Sequence, residues 1–241
     1  MTESDRIRAL REAAKRKMRQ WRQPCWFPEV REQVGPPTAS KFGGAACLLR
    51  GEDWPTCPQC GKPMPLFVQV NIAEVPPGAR ERGAVGVVQF FRCTGYDCEV
   101  WPNSETAYLA RRIPTDNIQA ASSPPPHSYP EQLIVGWRED EDYAWEEADV
   151  DLTDEEFCAL FAPENPKEGF PRPGDKLFGW PNWIQGESYP PCPECGEPMT
   201  LNVFQIDSED HLPYMFGDCG NCHLCLCPKH PHLVGVTWST H

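Results

Sequence analysis

No stretch of the 241 residues approaches the roughly 18 consecutive apolar side chains that a membrane helix needs. The opening residues, Met1-Thr2-Glu3-Ser4-Asp5-Arg6, precede neither an apolar run nor a small-residue cleavage site, so no secretory leader is expected. The common catalytic signatures are missing too. There is no H-E-x-x-H, no phosphate-loop lysine behind Gly217-Asp218-Cys219-Gly220, no G-x-G-x-x-G opening a helix and no G-x-S-x-G turn. Basic residues are in the minority, 22 against 35 acidic ones, for a formal charge of -13. Such a chain repels phosphate backbones over most of its surface.

Proline and cysteine are abundant. The 28 prolines and 18 glycines together stay below the roughly 25–30% of low-complexity disorder, so the chain should fold. Proline at about twice its average usage argues against a helical bundle, because each interior proline removes a helix hydrogen bond. An odd count of 13 cysteines without a leader points to metal ligation in the reducing cytoplasm rather than to disulfides.

Charge is unevenly placed. Residues 1–23 carry eight basic and three acidic side chains, a local +5, which leaves -18 for the rest of a chain whose total is -13. Within 1–23, Ile7, Leu10, Ala14, Met18 and Trp21 recur at helical spacing, which predicts an amphipathic basic helix ended by Pro24. Its apolar stripe is expected to pack on the body; its basic faces are the one candidate contact for RNA. Residues 139–156 hold eleven carboxylates, among them Asp140, Glu141, Asp142, Glu146 and Glu147, a candidate surface for a basic protein client.

Beyond residue 40 the pattern is strand-like. Runs 66–72, 84–92, 106–113, 133–137, 201–206 and 233–238 are bounded by Gly, Pro and Asn. Thr153 with Glu156 has the spacing of a capping box and predicts a helix through Phe157, Leu160 and Phe161. Residues 41–68 align without gaps on 176–203, and 13 of the 28 pairs are identical. The expected fold is mainly β (α+β), a pseudo-twofold duplicated β-rich body with two zinc knuckles and an N-terminal amphipathic helix. Residues 24–241 would form one domain of two repeats, about 38–121 and 172–241, joined by a Pro-rich and acidic segment. The equivalent glutamines Gln69 and Gln205 are expected to be buried and hydrogen-bonded to the neighbouring repeat.

The duplicated element contains Cys57-Pro-Gln-Cys60-Gly61 in one copy and Cys192-Pro-Glu-Cys195-Gly196 in the other. Two residues between thiolates let both reach one tetrahedral ion, and the glycine permits the tight turn beneath it. Cys93 and Cys98 would complete the first site. Cys227 and His230 would complete the second, with His232, Cys219, Cys222 and Cys225 as other candidates for its last ligand. Two structural zinc ions are therefore expected, each with four protein ligands and no open position for water. Three catalytic or redox readings fail on spacing. The P-C-x-x-C of a zinc deaminase lacks its upstream H-x-E, a thioredoxin-like CxxC lacks a following helix, and no zincin motif is present. Cys25, Cys47 and Cys158 read as small buried apolar residues.

Taken together, Lys41-Phe42-Gly43-Gly44, Trp54-Pro55-x-Cys57, Pro63-Met64, Val135-Gly136-Trp137, Leu177-Phe178-Gly179-Trp180-Pro181, Gln205-Ile206-Asp207, Met215-Phe216-Gly217-Asp218 and Cys227-Pro228 resemble the YwqG-like family of bacterial proteins. The resemblance covers roughly residues 38–241. That family is distantly similar to the eukaryotic programmed cell death two proteins, linked to ribosome assembly as carriers of a small-subunit ribosomal protein. The resemblance implies a β-rich scaffold that binds a protein, with an RNA-linked role as the alternative; the residues themselves lead to the expectation of a cytoplasmic protein that is not an enzyme, an uncharacterised enzyme being the further alternative. The chain departs from many relatives in its full cysteine set in the second copy and in Gly44-Ala45-Ala46, where G-x-P is usual.

Overall fold

The computed structural model describes residues 2–99, 106–120, 123–144, 150–163 and 165–240. Helix α1 (Glu3–Lys17) begins at a capping box: the Thr2 hydroxyl accepts from the Asp5 N–H, and the Asp5 carboxylate accepts from the Thr2 N–H. Acids in its first turn and Lys15, Arg16 and Lys17 in its last agree with the helix dipole. The helix ends before the expected Pro24; a short 3-10 turn, Arg19–Trp21, leads directly into strand β1 (Arg22–Glu32). Ala14 and Met18 seat α1 against Tyr143, Leu160, Phe161 and Phe170. Leu160 and Phe161 belong to the helix that the Thr153–Glu156 spacing predicts, Asp154–Phe161, whose capping box forms.

The remaining strands are β2 (Lys41–Phe42), β3 (Cys47–Leu49), β4 (Leu66–Asn71), β5 (Val87–Arg92), β6 (Tyr108–Ile113), β7 (Ile118–Ala120), β8 (Gln132–Tyr143), β9 (Lys176–Phe178), β10 (Leu201–Asp207), β11 (Asn221–Leu226) and β12 (Val234–Ser239). Ten of them make one antiparallel sheet in the order β12-β11-β10-β9-β1-β8-β2-β4-β5-β6, and β3 pairs with β7. The sheet is nearly closed, since Tyr108 on β6 meets Trp238 on β12 edge to face with ring centroids 5.9 Å apart. Its interior is one aromatic core drawn from both ends of the chain. Phe42 lies 5.9 Å from Phe204, and Phe67 packs on Tyr214 at 4.8 Å.

At the middle of the sheet β1 pairs with β8 along its whole length. This adds one element that the sequence does not announce and corrects one expectation. A strand through Pro24 and Pro28 was not expected, yet β9 covers only Cys25 and Trp26 on the other side of β1, so much of that edge needs no donor. The acidic residues Glu139 to Asp142 continue β8 instead of forming a separate surface segment, opposite Trp26, Cys25, Pro24 and Gln23.

The two glutamines are buried, but their bonds stay within their own parts of the chain. Gln69 donates to the carbonyls of Pro37 and Ala39 and accepts from the N–H of Cys47. Gln205 donates to those of Arg172 and Gly174 and accepts from the N–H of Asn182, groups 135 positions further along in each case. Each glutamine thereby ties a strand to the loop that enters the neighbouring short strand.

Candidate metal centres

Both C-P-x-C-G turns are built alike. Residues Thr56 and Pro63 bridge across the first, Pro191 and Pro198 across the second. Gly61 N–H donates to Cys57 O and Gly196 N–H to Cys192 O, each at 2.8 Å. Gly61 and Gly196 have φ of 71° and 73°, the left-handed region in which a side chain is strained. These turns bring each pair of sulfurs to the same side.

In the first cluster Cys57 and Cys60 meet Cys93, just past β5, and Cys98 on the short helix Tyr96–Glu99. Cys57 Sγ lies 3.8 Å from Cys98 Sγ, and Cys60 Sγ 3.7 Å from Cys93 Sγ. A disulfide needs about 2.05 Å. A tetrahedron with metal–sulfur bonds of about 2.3 Å has edges of about 3.8 Å. The N–H groups of Gln59 and Gly95 point at Cys57 and Cys93, each at 3.4 Å. Burial, with the neighbouring sulfurs, raises the Cys98 and Cys93 thiols, Cys93 to about 11, whereas the Lys62 N–H helps lower Cys60. Four crowded sulfurs repel one another as thiolates, so a bound cation is the natural way to deprotonate them together.

The second cluster gathers Cys192, Cys195, Cys227 and His230. Cys195 Sγ is 3.7 Å from Cys227 Sγ, and His230 Nδ1 is 3.4 Å and 3.7 Å from Cys192 and Cys227. With a metal–nitrogen bond near 2.0–2.1 Å, the mixed edges of a tetrahedron are about 3.6 Å. His230 is thus the group placed with the three thiols; of the other candidates, Cys225 packs against the cluster from β11 but is not grouped with its ligand atoms. His232 hydrogen-bonds Glu194 at 2.8 Å, Cys222 and Cys225 are buried on β11, and Cys219 is exposed. Glu194 also lies 3.4 Å from His230 Nε2, where it can accept that proton and fix the tautomer that leaves Nδ1 as ligand. Sequence reading missed this role, although Glu194 stands inside the C-P-x-C turn. Burial would raise the Cys192 thiol, but the N–H groups of Cys195 and Glu194 together with His230 bring it down to about 6.

Of the three cysteines expected to be buried, Cys25 and Cys47 are; Cys158 is exposed on the second capped helix. A third group of potential ligands, Asp175, Asp210 and His211, is internally satisfied. His211 Nδ1 lies 2.8 Å from the buried Asp175 carboxylate, which also accepts the Asp207 N–H at 2.6 Å.

The acids expected to face a client are largely engaged at home. Asp142 is fully buried: it accepts from Lys176 Nζ (2.7 Å), from the N–H groups of Tyr143 and Arg172, and from that of Trp180. Glu141 pairs with Lys15 and Arg22, and Asp140 with Arg138 and Arg172. A surface role for Asp142 is therefore corrected. Glu146 and Glu147 lie outside the described residues. The basic helix is engaged in the same way: Arg6 and Lys17 reach Glu155 and Glu156, and Arg11 donates to the carbonyls of Ala159 and Glu168.

A nearly closed β sheet carrying two four-ligand clusters defines a β scaffold with potential metal centres. The family model described as "Domain of unknown function (DUF1963)" matches residues 40–229, and the chain belongs to that family. No curated protein matches it. Among the described residues no helix is long and apolar enough to cross a membrane.

Proposed function

We propose that the protein is a cytoplasmic, zinc-stabilised scaffold that binds another protein and performs no chemistry of its own. The observation that carries the metal assignment is the separation of the ligand atoms, 3.7–3.8 Å between sulfurs in both clusters, which matches a tetrahedral zinc site. With four protein ligands each, the sites leave no position for a reactive water. On this reading the two halves are copies of one unit, a view supported by the 13 identities and by the parallel bonding of Gln69 and Gln205. The YwqG-like and programmed cell death two resemblances point the same way.

The -18 carried outside residues 1–23 favours a basic client. Because Asp140, Glu141 and Asp142 are engaged, such a client meets the exposed Glu139, Asp151 and Asp154 instead. Metal analysis of purified protein should give two zinc per chain, and a basic client captured at low salt should be lost from an E139Q/D151N/D154N variant. Absence of zinc, or capture indifferent to salt and to that variant, refutes the corresponding part. The RNA-linked alternative rests on Arg16 and Arg19, basic residues of the N-terminal segment that are exposed. It requires an RNA affinity that falls with salt and disappears in the R16Q/R19Q variant.

A further inference from the structure

Helix α1 lies on a face made by Tyr143, Leu160, Phe161 and Phe170, and it meets that face with few apolar side chains. Of the stripe expected to pack on the body, Ala14 and Met18 are buried, Leu10 and Trp21 are half-buried, and Ile7 stays exposed. Charge supplies the rest of the contact. Arg6 pairs with Glu155, Lys17 with Glu156 and Lys15 with Glu141, while Arg11 and Lys15 stand 5.1 and 5.7 Å from the centre of the Phe170 ring. An ion pair as open to solvent as Arg6–Glu155 contributes little and is screened by salt, so the first turns of α1 are loosely held. The face lies inside the family match at residues 40–229, and its cover lies outside it. The far end of that cover is anchored separately. Trp180 Nε1 donates to Trp21 O at 2.7 Å, just ahead of β1, so α1 can lift at the turn Arg19–Trp21 without disturbing the sheet.

We propose that this face is where the scaffold takes a basic amphipathic helix of its client, and that α1 is a built-in occupant which the client helix displaces. The inference rests on the protein-binding reading and gives it a surface and a gate. The seated helix shows what the face accepts: apolar side chains on one side of a helix, with Lys and Arg on its flanks reaching acids and carbonyls. The face is continuous with the exposed acids assigned to the client. Glu139 shares a side of β8 with Glu141, and Asp154 opens the helix that carries Glu155 and Glu156. Lys17 donates to the Asp151 carbonyl at 2.9 Å, so a client that lands on Asp151 meets the edge of α1. Phe157, 37% exposed, extends the face beside Phe161 at a centroid distance of 5.2 Å. A client stripe that also covers Phe157 buries apolar area that α1 leaves open, which favours exchange. The other macromolecule that can draw α1 away is an RNA bound to its basic side chains. It is disfavoured because it must then approach a body carrying -18.

The test uses the full-length, metal-loaded protein and three probes: a fluorescent peptide of residues 2–21, a shuffled peptide of the same composition, and oligouridine. The Arg6→Gln/Lys17→Gln variant should bind the 2–21 peptide about fivefold or more tighter than the wild type, because the tethered competitor is weakened while the face is intact. The shuffled peptide, which lacks the stripe, should not bind. In hydrogen exchange the 2–21 peptide should speed the amides of α1 and leave those of β1 and β8 protected. Peptide binding equal in both proteins, or binding that leaves α1 exchange unchanged, overturns the inference. So does oligouridine that opens α1 when the peptide does not, which marks the helix as the binding element and not the cover. Loss of β1 protection together with that of α1 in the variant also overturns it, since α1 would then be part of the sheet's own stability. Capture of a basic client that depends on Glu139, Asp151 and Asp154 is read on the same preparation, so a failed gate is told apart from a failed scaffold.

Discussion

Each half of the chain carries a C-P-x-C-G turn, a group of potential metal ligands and a buried lysine, and the two halves set them differently. In the first, all four potential ligands are cysteines and three of them are buried, whereas the buried lysine of that half, Lys41, makes a 3.3 Å contact with Glu131. In the second, a histidine replaces one thiol, and Cys195 and His230 are partly open to solvent. There the lysine at the aligned position, Lys176, is saturated at 2.6–2.7 Å by Asp142 and by the carbonyls of Arg172 and Trp180. The comparison teaches that one local plan can bury its sulfur cluster more deeply in one place and its ion pair more completely in the other.

The largest effect should come from the first metal centre. Cys57→Ser should remove one of two zinc equivalents and lower stability by about 5 kcal/mol or more, because ligation there is coupled to folding. Metal analysis with urea unfolding measures it, and a variant that keeps both equivalents breaks the comparison. Next, Lys176→Met leaves Asp142 buried without its cation and should lose about 3–5 kcal/mol, whereas Lys41→Met, with a single long contact, should lose clearly less. Equal losses would show that the two pairs do the same work. A smaller effect is expected from Glu194→Gln, which should weaken metal binding at the second site about 10–100-fold and leave the first untouched. Chelator titration followed by release of each equivalent reads this directly.

The smallest effect concerns acid. In Glu141 and Asp140 burial pushes the carboxyls up, but Lys15, Tyr143 and Arg22 in one case, and the Glu141 N–H, Arg172 and Arg138 in the other, hold them below their usual values of 4.5 and 3.8. A folded-state value below the unfolded one favours the fold above the usual carboxylate range. That contribution should disappear as pH falls through the lowered values. Urea midpoints measured downward from pH 5 should show a shallower decline in a D140N/E141Q variant than in the wild type.

Much of this plan is legible in the sequence because its signals are local. The C-P-x-C-G turns, the Thr153–Glu156 cap and six of the strand runs each follow from residues within reach of one another. What was not legible depends on distant partners. Pro24 and Pro28 argue against a strand until it is known that β9 covers only two residues of that edge. The carboxylates at 140–142 read as surface until Lys176, Lys15 and Arg172 are placed beside them. The choice of His230 over His232 needed the position of Glu194 between them.

The central position of β1 has a consequence for synthesis. This strand leaves the ribosome before both of its neighbours, β8 and β9, which end at Tyr143 and Phe178. At roughly 5–20 residues per second, the strand stands uncovered for on the order of 10–30 s before its second neighbour exists. During that interval its prolines and its charged Arg22, Glu29, Arg31 and Glu32 are what discourage pairing with the strands of another nascent chain. Residues that look like poor strand formers in the finished sheet are thus well suited to the time before the sheet is finished.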